Sequence, residues 1–253
     1  MGNAIRDIKD AIVKIDPETS EREAKQELYD VIDIFIRERI TAADALIICS
    51  ASDKIENDDV ILTFARSSII ERTLREAYKS GKRFRVIVVD SKPLYEGKRL
   101  AQSLGAEGLA VDYYLIAGIA HAMAQATKVL SGAHAMMGDG RLYSRIGTAV
   151  VAMLARENNV PLIVCCESYK FTDRVYVDSF GGNELAPPEE LIEDPQEREA
   201  WRQQMEKQRD LQMLNLMYDL TPAEYVNMIV TEHGNLPPSS VPAVLRMLEN
   251  KTA

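Results

Sequence analysis

The sequence predicts an α/β domain with a doubly wound, mostly parallel sheet, preceded by a helical segment. Three observations carry that reading. Short apolar, β-branched runs recur between Val60 and Cys166, amphipathic stretches of helical length separate them, and the first 57 residues show helical periodicity without such runs.

The elements follow in order. Ile5, Ile8, Ile12 and Ile15 lie three and four residues apart, and Asp16-Pro17 ends that helix. A second helix starts after Ser20, with Leu28, Ile32, Phe35, Ile36 and Ile40 on one stripe. Ala45–Cys49 fits a buried strand on pattern alone, but continuation of the stripe favours helix. From residue 58 the rhythm changes. Strands are expected at Val60–Phe64, Phe84–Val89, Val111–Ile116, Lys128–Leu130 and Val160–Cys166. Helices are expected at Ile69–Tyr78, Glu96–Leu104, from Ile119, and at Thr148–Asn158. Apolar strands alternating with amphipathic helices imply a sheet covered on both faces, a Rossmann-like domain over 58–253. Residues 183–210, with Pro187-Pro188, an acidic run and a polar stretch around Trp201, suit a mobile excursion or a solvated helix. Leu214, Leu216 and Tyr218 then alternate with Asn215 and Met217 as a strand does, and Thr221-Pro222 reads as a helix N-cap followed by proline.

Composition excludes several classes. Asp and Glu number 39 against 30 Lys and Arg, a net charge of −9, which repels a polyphosphate backbone and argues against general nucleic-acid binding. Val160–Cys166, among the longest apolar runs, is far short of the roughly 20 residues a membrane span needs. Ile5–Ile15 interleaves charges, so no signal peptide is expected there. Cys49, Cys165 and Cys166 form no CxxC pair and read as reduced thiols of an intracellular protein.

Ligands of such sheets sit at the carboxyl ends of the strands. The polar groups expected there are Asp90, Ser91 and Lys92 after the second strand, Gly132 and His134 after the fourth, and Arg145, Gly147 and Thr148 before a helix. Gly147 and Thr148 offer backbone N–H groups at a helix N-terminus, with Arg145 and Lys92 as cations, a phosphate-pocket pattern. Spacing alone fits equally a tight strand-to-helix turn with a capping hydroxyl. Gly138-Asp139-Gly140 reads as a hairpin turn, because no GxGxxG follows a strand. His121, His134 and His233 lack metal-ligand spacing, so no metal or other cofactor is expected. Lys79, Lys82, Arg83 and Arg85 cluster at a helix-to-strand turn, either a solvated cap or a contact for an acidic or phosphorylated partner.

Three stretches go beyond pattern: FRVIVVDSKPLYEG (84–97), KVLSGAHAMMGDGRLYSRIGT (128–148) and VPLIVCCESYKF (160–171). They resemble the alpha, beta and delta regulatory subunits of eukaryotic translation initiation factor 2B, a family similar in fold to methylthioribose-1-phosphate and ribose-1,5-bisphosphate isomerases. The ending LNLMYDLTPAEYVNMIVTEHGNLPPSSVPAVLR (214–246) and the opening MGNAIR resemble the delta branch. The resemblance implies a fragment, with residues 1–57 the last part of a helical subdomain. It also implies a cytoplasmic partner of the beta, alpha, gamma and epsilon subunits and of initiation factor 2, especially that factor's alpha subunit, whose phosphorylation the family senses. It leaves open a homodimer of the isolated chain. Leu214, Asn215, Leu216 and Tyr218 correspond to the region near the twofold contact between beta–delta pairs, so they are the expected interface.

The related isomerases use a cysteine after the first sheet strand and the aspartate of a Gly-Ala-Asp motif. Here those places read Leu62-Thr63-Phe64-Ala65-Arg66-Ser67 and Gly132-Ala133-His134. Each positioned acid or base contributes on the order of a hundred- to ten-thousandfold, so losing two implies no useful turnover and no catalytic residues. The alternatives are an isomerase working through His134, or a non-catalytic sugar-phosphate or nucleotide sensor.

Overall fold

The structure is a computed structural model and describes residues 2–208 and 210–252; Met1, Arg209 and Ala253, which fall within the predicted segments, lie outside the described residues. Helix α1 (Gly2–Lys14) is followed by α2 (Glu21–Phe35), whose start is a capping box: the Ser20 hydroxyl oxygen accepts from the Glu23 N–H, and the Glu23 carboxylate accepts from the Ser20 N–H. The chain continues through a π-helical stretch, Ile36–Ala42, into α3 (Ala43–Ser52). Neither α2 nor the π-helical stretch buries a side chain, whereas α3 buries Ala43, Ile47, Ile48 and Ala51. Ala45–Cys49 is therefore helical, with Ile47 and Ile48 buried and Ala45, Leu46 and Cys49 exposed.

The main sheet is built from β1 (Val60–Phe64), β2 (Arg85–Asp90), β3 (Ala110–Leu115), β4 (Lys128–Gly132), β7 (Leu162–Cys165), β10 (Met228–Thr231) and β11 (Gly234–Leu236), in the order β11-β10-β7-β4-β1-β2-β3. All neighbours are parallel except β10 with β11. Successive residues of β1 point to opposite faces. Ile61 joins Val86, Val88, Leu130 and Ile163 under α3, α4 (Ser68–Lys79) and α5 (Glu96–Ala106), while Leu62 joins Ile87, Val89, Val129 and Val164 under α6 (Ile119–Met123), α7 (Thr148–Glu157) and α9 (Val241–Thr252). Strand order reverses between β1 and β4, which opens a crevice at their carboxyl ends.

A second sheet caps that end, with β8 (Phe171–Thr172), β5 (Ala135–Met137), β6 (Leu142–Arg145) and β9 (Tyr218–Thr221) in the order β8-β5-β6-β9. Gly138-Asp139-Gly140 makes the turn of its β5–β6 hairpin. The predicted strand over Leu214–Tyr218 is displaced: pairing with β6 begins at Tyr218, where a partner exists, and residues 211–217 run along the excursion instead. There Met217 N–H donates to Glu184 O and Ala186 N–H to Asn215 O, while Leu216 bridges Leu185. The predicted helix at Thr221-Pro222 is corrected as well. Thr221 ends β9 fully buried, its hydroxyl without a hydrogen-bond partner, and only a 3-10 turn, Ala223–Tyr225, follows. Met228–Thr231 then extends the main sheet, because that apolar run finds β7 as a partner.

Residues 183–210 include helix α8 (Pro195–Lys207), opened by Asp194, whose carboxylate accepts from the N–H groups of Gln196 and Glu197. Among the described residues no helix is long and apolar enough to cross a membrane.

Candidate functional site

The crevice between β1 and β4 brings together the loops the sequence pointed to. Gly147 opens α7 with φ +104°, and a Cβ there would stand 2.7 Å from the Phe64 ring and 2.8 Å from Ile116, so the turn requires glycine on both grounds. The N–H groups it frees do not face an empty cradle. Asp219 of β9 accepts from Gly147 N–H at 2.7 Å and from Ala149 N–H at 3.1 Å through one carboxylate oxygen. Asp219 is 5% exposed, and its other oxygen has no hydrogen-bond partner. Burial outweighs the two backbone donors and pushes this carboxyl up to about 6. The helix terminus that the sequence offered to a phosphate is thus occupied by the chain's own carboxylate. Thr148, also buried, donates its hydroxyl to Arg145 O at 2.6 Å.

The two cations are likewise engaged. Arg145 makes a bidentate pair with Glu96, at 2.9 and 3.0 Å, and lies over the Tyr218 ring. Lys92 pairs with Glu193 of the excursion at 2.7 Å, and that hydrogen bond raises its pKa. Asp90 serves α5: its carboxylate accepts from Lys98 N–H at 2.9 Å and from the Tyr113 hydroxyl at 3.0 Å, and also takes the Ser91 N–H. Asn215, Leu216 and Met217 close the same hollow. What remains between Asp90, Ser91, Lys92 and Arg145 is about 20 Å³, room for about one water. These four residues line one small hollow, in which both cations are already paired with carboxylates.

His134 faces a different hollow. It packs 4.5 Å from the Tyr218 ring and 5.6 Å from Tyr143, and burial, with Arg145 and Lys170 as lesser causes, lowers its pKa. The neutral imidazole lines a groove of about 380 Å³ with Arg6, Tyr169, Lys170, Arg174 and Tyr176. Gly132, at the end of β4, lies against Ser67 from the loop after β1. Sequence reading missed the groove's other lining residues, because they come from α1, the turn after β7 and the segment after β8, far apart in the chain.

Of the basic cluster, Lys79 and Arg83 are exposed and Lys82 and Arg85 half-buried. Lys82 donates to Ser52 O at 2.7 Å, Arg85 pairs with Asp112 at 2.5 Å, Arg83 lies over Tyr78, and Lys79 closes α4. Lys82 and Arg85 thus bind within the chain, while Lys79 and Arg83 lie at the surface of this turn. Of the expected interface residues, Asn215 and Tyr218 are buried and do not face outward: Asn215 donates to Pro187 O, and Tyr218 stacks on Tyr143. Leu216 lines the small hollow, and Leu214 is 54% exposed. Among the described residues no group of three His, Cys, Asp or Glu side chains is arranged to hold a metal.

Comparison with known proteins agrees with this geometry. The chain is 41% identical over 97% of its length to translation initiation factor eIF2B subunit delta of Schizosaccharomyces pombe, and equally so to that of Dictyostelium discoideum; it spans 53% and 40% of those relatives. The chain thus spans about half the length of these curated relatives. Ribose 1,5-bisphosphate isomerase of Pyrococcus furiosus is 31% identical over 76% of the chain and 57% of the isomerase. The crystal structure of the tetrameric eIF2B-beta2-delta2 complex from C. thermophilum superposes with a TM-score of 0.78 at 35% identity, covering 92% of this chain and 69% of that one. The Initiation factor 2 subunit family model matches residues 1–238, and the chain belongs to that family.

Proposed function

We propose that the chain works as a delta-type, non-catalytic regulatory subunit of the guanine-nucleotide exchange factor for translation initiation factor 2. In this reading it acts in the cytoplasm and pairs with the beta subunit. With alpha it builds the core that carries gamma and epsilon and senses phosphorylation of the alpha subunit of initiation factor 2. The observation that carries the reading is the identity of 41% with delta subunits, which runs over 97% of the chain and so includes the loops of the crevice. The crevice itself supports a non-catalytic role. Ala65, Arg66 and Ser67 follow β1 where the isomerases have cysteine, and His134 is stacked against tyrosines where they have aspartate.

The assembly surface follows from the exposed apolar residues on the adjoining segments 179–187 and 214–220, which are tied by the Asn183–Tyr218, Ser179–Leu220 and Leu185–Leu216 contacts. Phe180, Leu185 and Leu214 are 57%, 57% and 54% exposed there, an apolar cluster suited to a partner. Co-expression with a beta subunit, followed by sizing and by binding of phosphorylated and unphosphorylated initiation factor 2 alpha to the complete complex, tests both halves. Failure to co-purify with beta would remove the assembly role. Equal absence of binding for the two forms would remove the sensing role. In the isolated chain the same surface supports a homodimer.

A further inference from the structure

The excursion builds a hollow of its own, which shares no lining residue with the crevice hollow or the His134 groove. Along α8, Arg198, Trp201, Arg202 and Met205 fall three and four residues apart, so they share one face of the helix. Facing the same hollow are Pro188 and Glu189 of the 3-10 turn Pro188–Leu191, then Ile192, and Met213 from the returning chain. The space between them is about 270 Å³, the liquid volume of about nine waters. The rest of α8 is polar apart from Pro195 and Ala200, and neither Trp201 nor Met205 belongs to any of the three core clusters. A helix of 13 residues is marginal without tertiary packing, and this one turns its two large apolar side chains onto open space. An apolar body from outside the chain completes that packing.

The charges in the lining specify what that body carries. Arg202 is already paired with Glu199 at 2.9 Å. Arg198 is held in place by its Nε and Nη2 groups, which donate to Ile192 O at 3.2 and 2.9 Å, and no carboxylate of the described residues pairs with it. Glu189 likewise meets no cation at ion-pair distance among the described residues. The hollow thus offers one open guanidinium, one open carboxylate and an apolar wall. A simple anion would be repelled by Glu189 and a simple cation by Arg198, whereas a zwitterion satisfies both.

We propose that this hollow binds a free apolar α-amino acid. Its carboxylate sits on Arg198, its ammonium on Glu189, and its branched aliphatic or aromatic side chain against Trp201, Met205 and Met213. The mixture of a mostly apolar lining with a few polar groups that fix orientation is that of a small-molecule site. The end of a polypeptide chain presents only one of the two charges, so the free amino acid is the better match.

The test uses the full chain and its single tryptophan, Trp201, whose emission reports on the hollow directly. L-Leucine is titrated, with calorimetry in parallel, against three probes: leucinamide, which lacks the carboxylate, 4-methylpentanoate, which lacks the ammonium, and glycine, which lacks the side chain. Leucine is expected to bind saturably and at least about tenfold more tightly than each of the three, since each leaves a charged or apolar contact unmade. In Glu189→Gln the preference for leucine over 4-methylpentanoate should disappear while the preference over leucinamide remains; Arg198→Met should do the reverse. The Glu189 side chain holds no hydrogen bond among the described residues, so Glu189→Gln separates recognition from folding even where Arg198→Met disturbs α8. No saturable response to leucine in either readout, or equal binding of leucine and 4-methylpentanoate, would overturn the proposal. So would a preference for leucine over 4-methylpentanoate that survives intact in Glu189→Gln.

Discussion

Replacing Asp219 by asparagine isolates the cost of keeping a charge buried against the first turn of α7. The carboxyl rises from 3.8 to about 6 on folding, with burial the leading cause. Below about pH 4 it is protonated in both states and its contribution to stability is full. As the pH rises towards about 6, the unfolded chain releases the proton while the folded chain keeps it, so stability falls. Above about pH 6 the loss is complete, at about 3 kcal/mol. Asparagine keeps an oxygen for the N–H groups of Gly147 and Ala149 and carries no charge. The variant should therefore match the wild type in acid and exceed it by about 3 kcal/mol at neutral pH. Urea denaturation followed by tryptophan and tyrosine fluorescence at a series of pH values reads this as a midpoint difference that opens to about 1 M. A difference that is flat with pH, or a wild type more stable at neutral pH, would refute the reasoning. In that case the helix terminus, not burial, would dominate the environment of Asp219.

Other changes probe other links. Gly147→Ala should cost at least about 2 kcal/mol, read as a lower melting temperature, because it adds left-handed strain to a clash with Phe64 and Ile116. Arg145→Met strands the Glu96 carboxylate and should cost about 1–3 kcal/mol; a melt stabilised by phosphate only in the wild type would show that Arg145 is available to anions after all. Leu214→Arg should leave the melting of the isolated chain within about 0.5 kcal/mol of wild type, since the residue is exposed, yet weaken co-purification with a beta subunit. No turnover of ribose 1,5-bisphosphate is expected, whether His134 is present or replaced by alanine; activity that disappears with His134 would restore the isomerase reading.

Much of the fold was legible because its signals are local. Strands β1, β2, β4 and β7 are buried on both faces and read as apolar runs, and the Ser20–Glu23 box and Asp16-Pro17 mark helix ends by side-chain chemistry alone. The C-terminal third was less legible. Leu214, Leu216 and Tyr218 alternate as a strand does whether the partner is a β-strand or an irregular neighbour, and only the position of β6 decides that pairing starts at Tyr218.

The site divides in the same way. The sequence by itself determined that Gly147 makes a special turn and that the positions after β1 and β4 lack the cysteine and aspartate of the related isomerases, but it grouped His134 with loops that line another hollow. It could not determine what those loops hold. Asp219 lies 72 residues from Gly147, and Glu96 lies 49 from Arg145. A carboxylate's partner, and with it its charge, depends on separations in space and on how much water is excluded. Both quantities exist only once the two sheets have closed over one another.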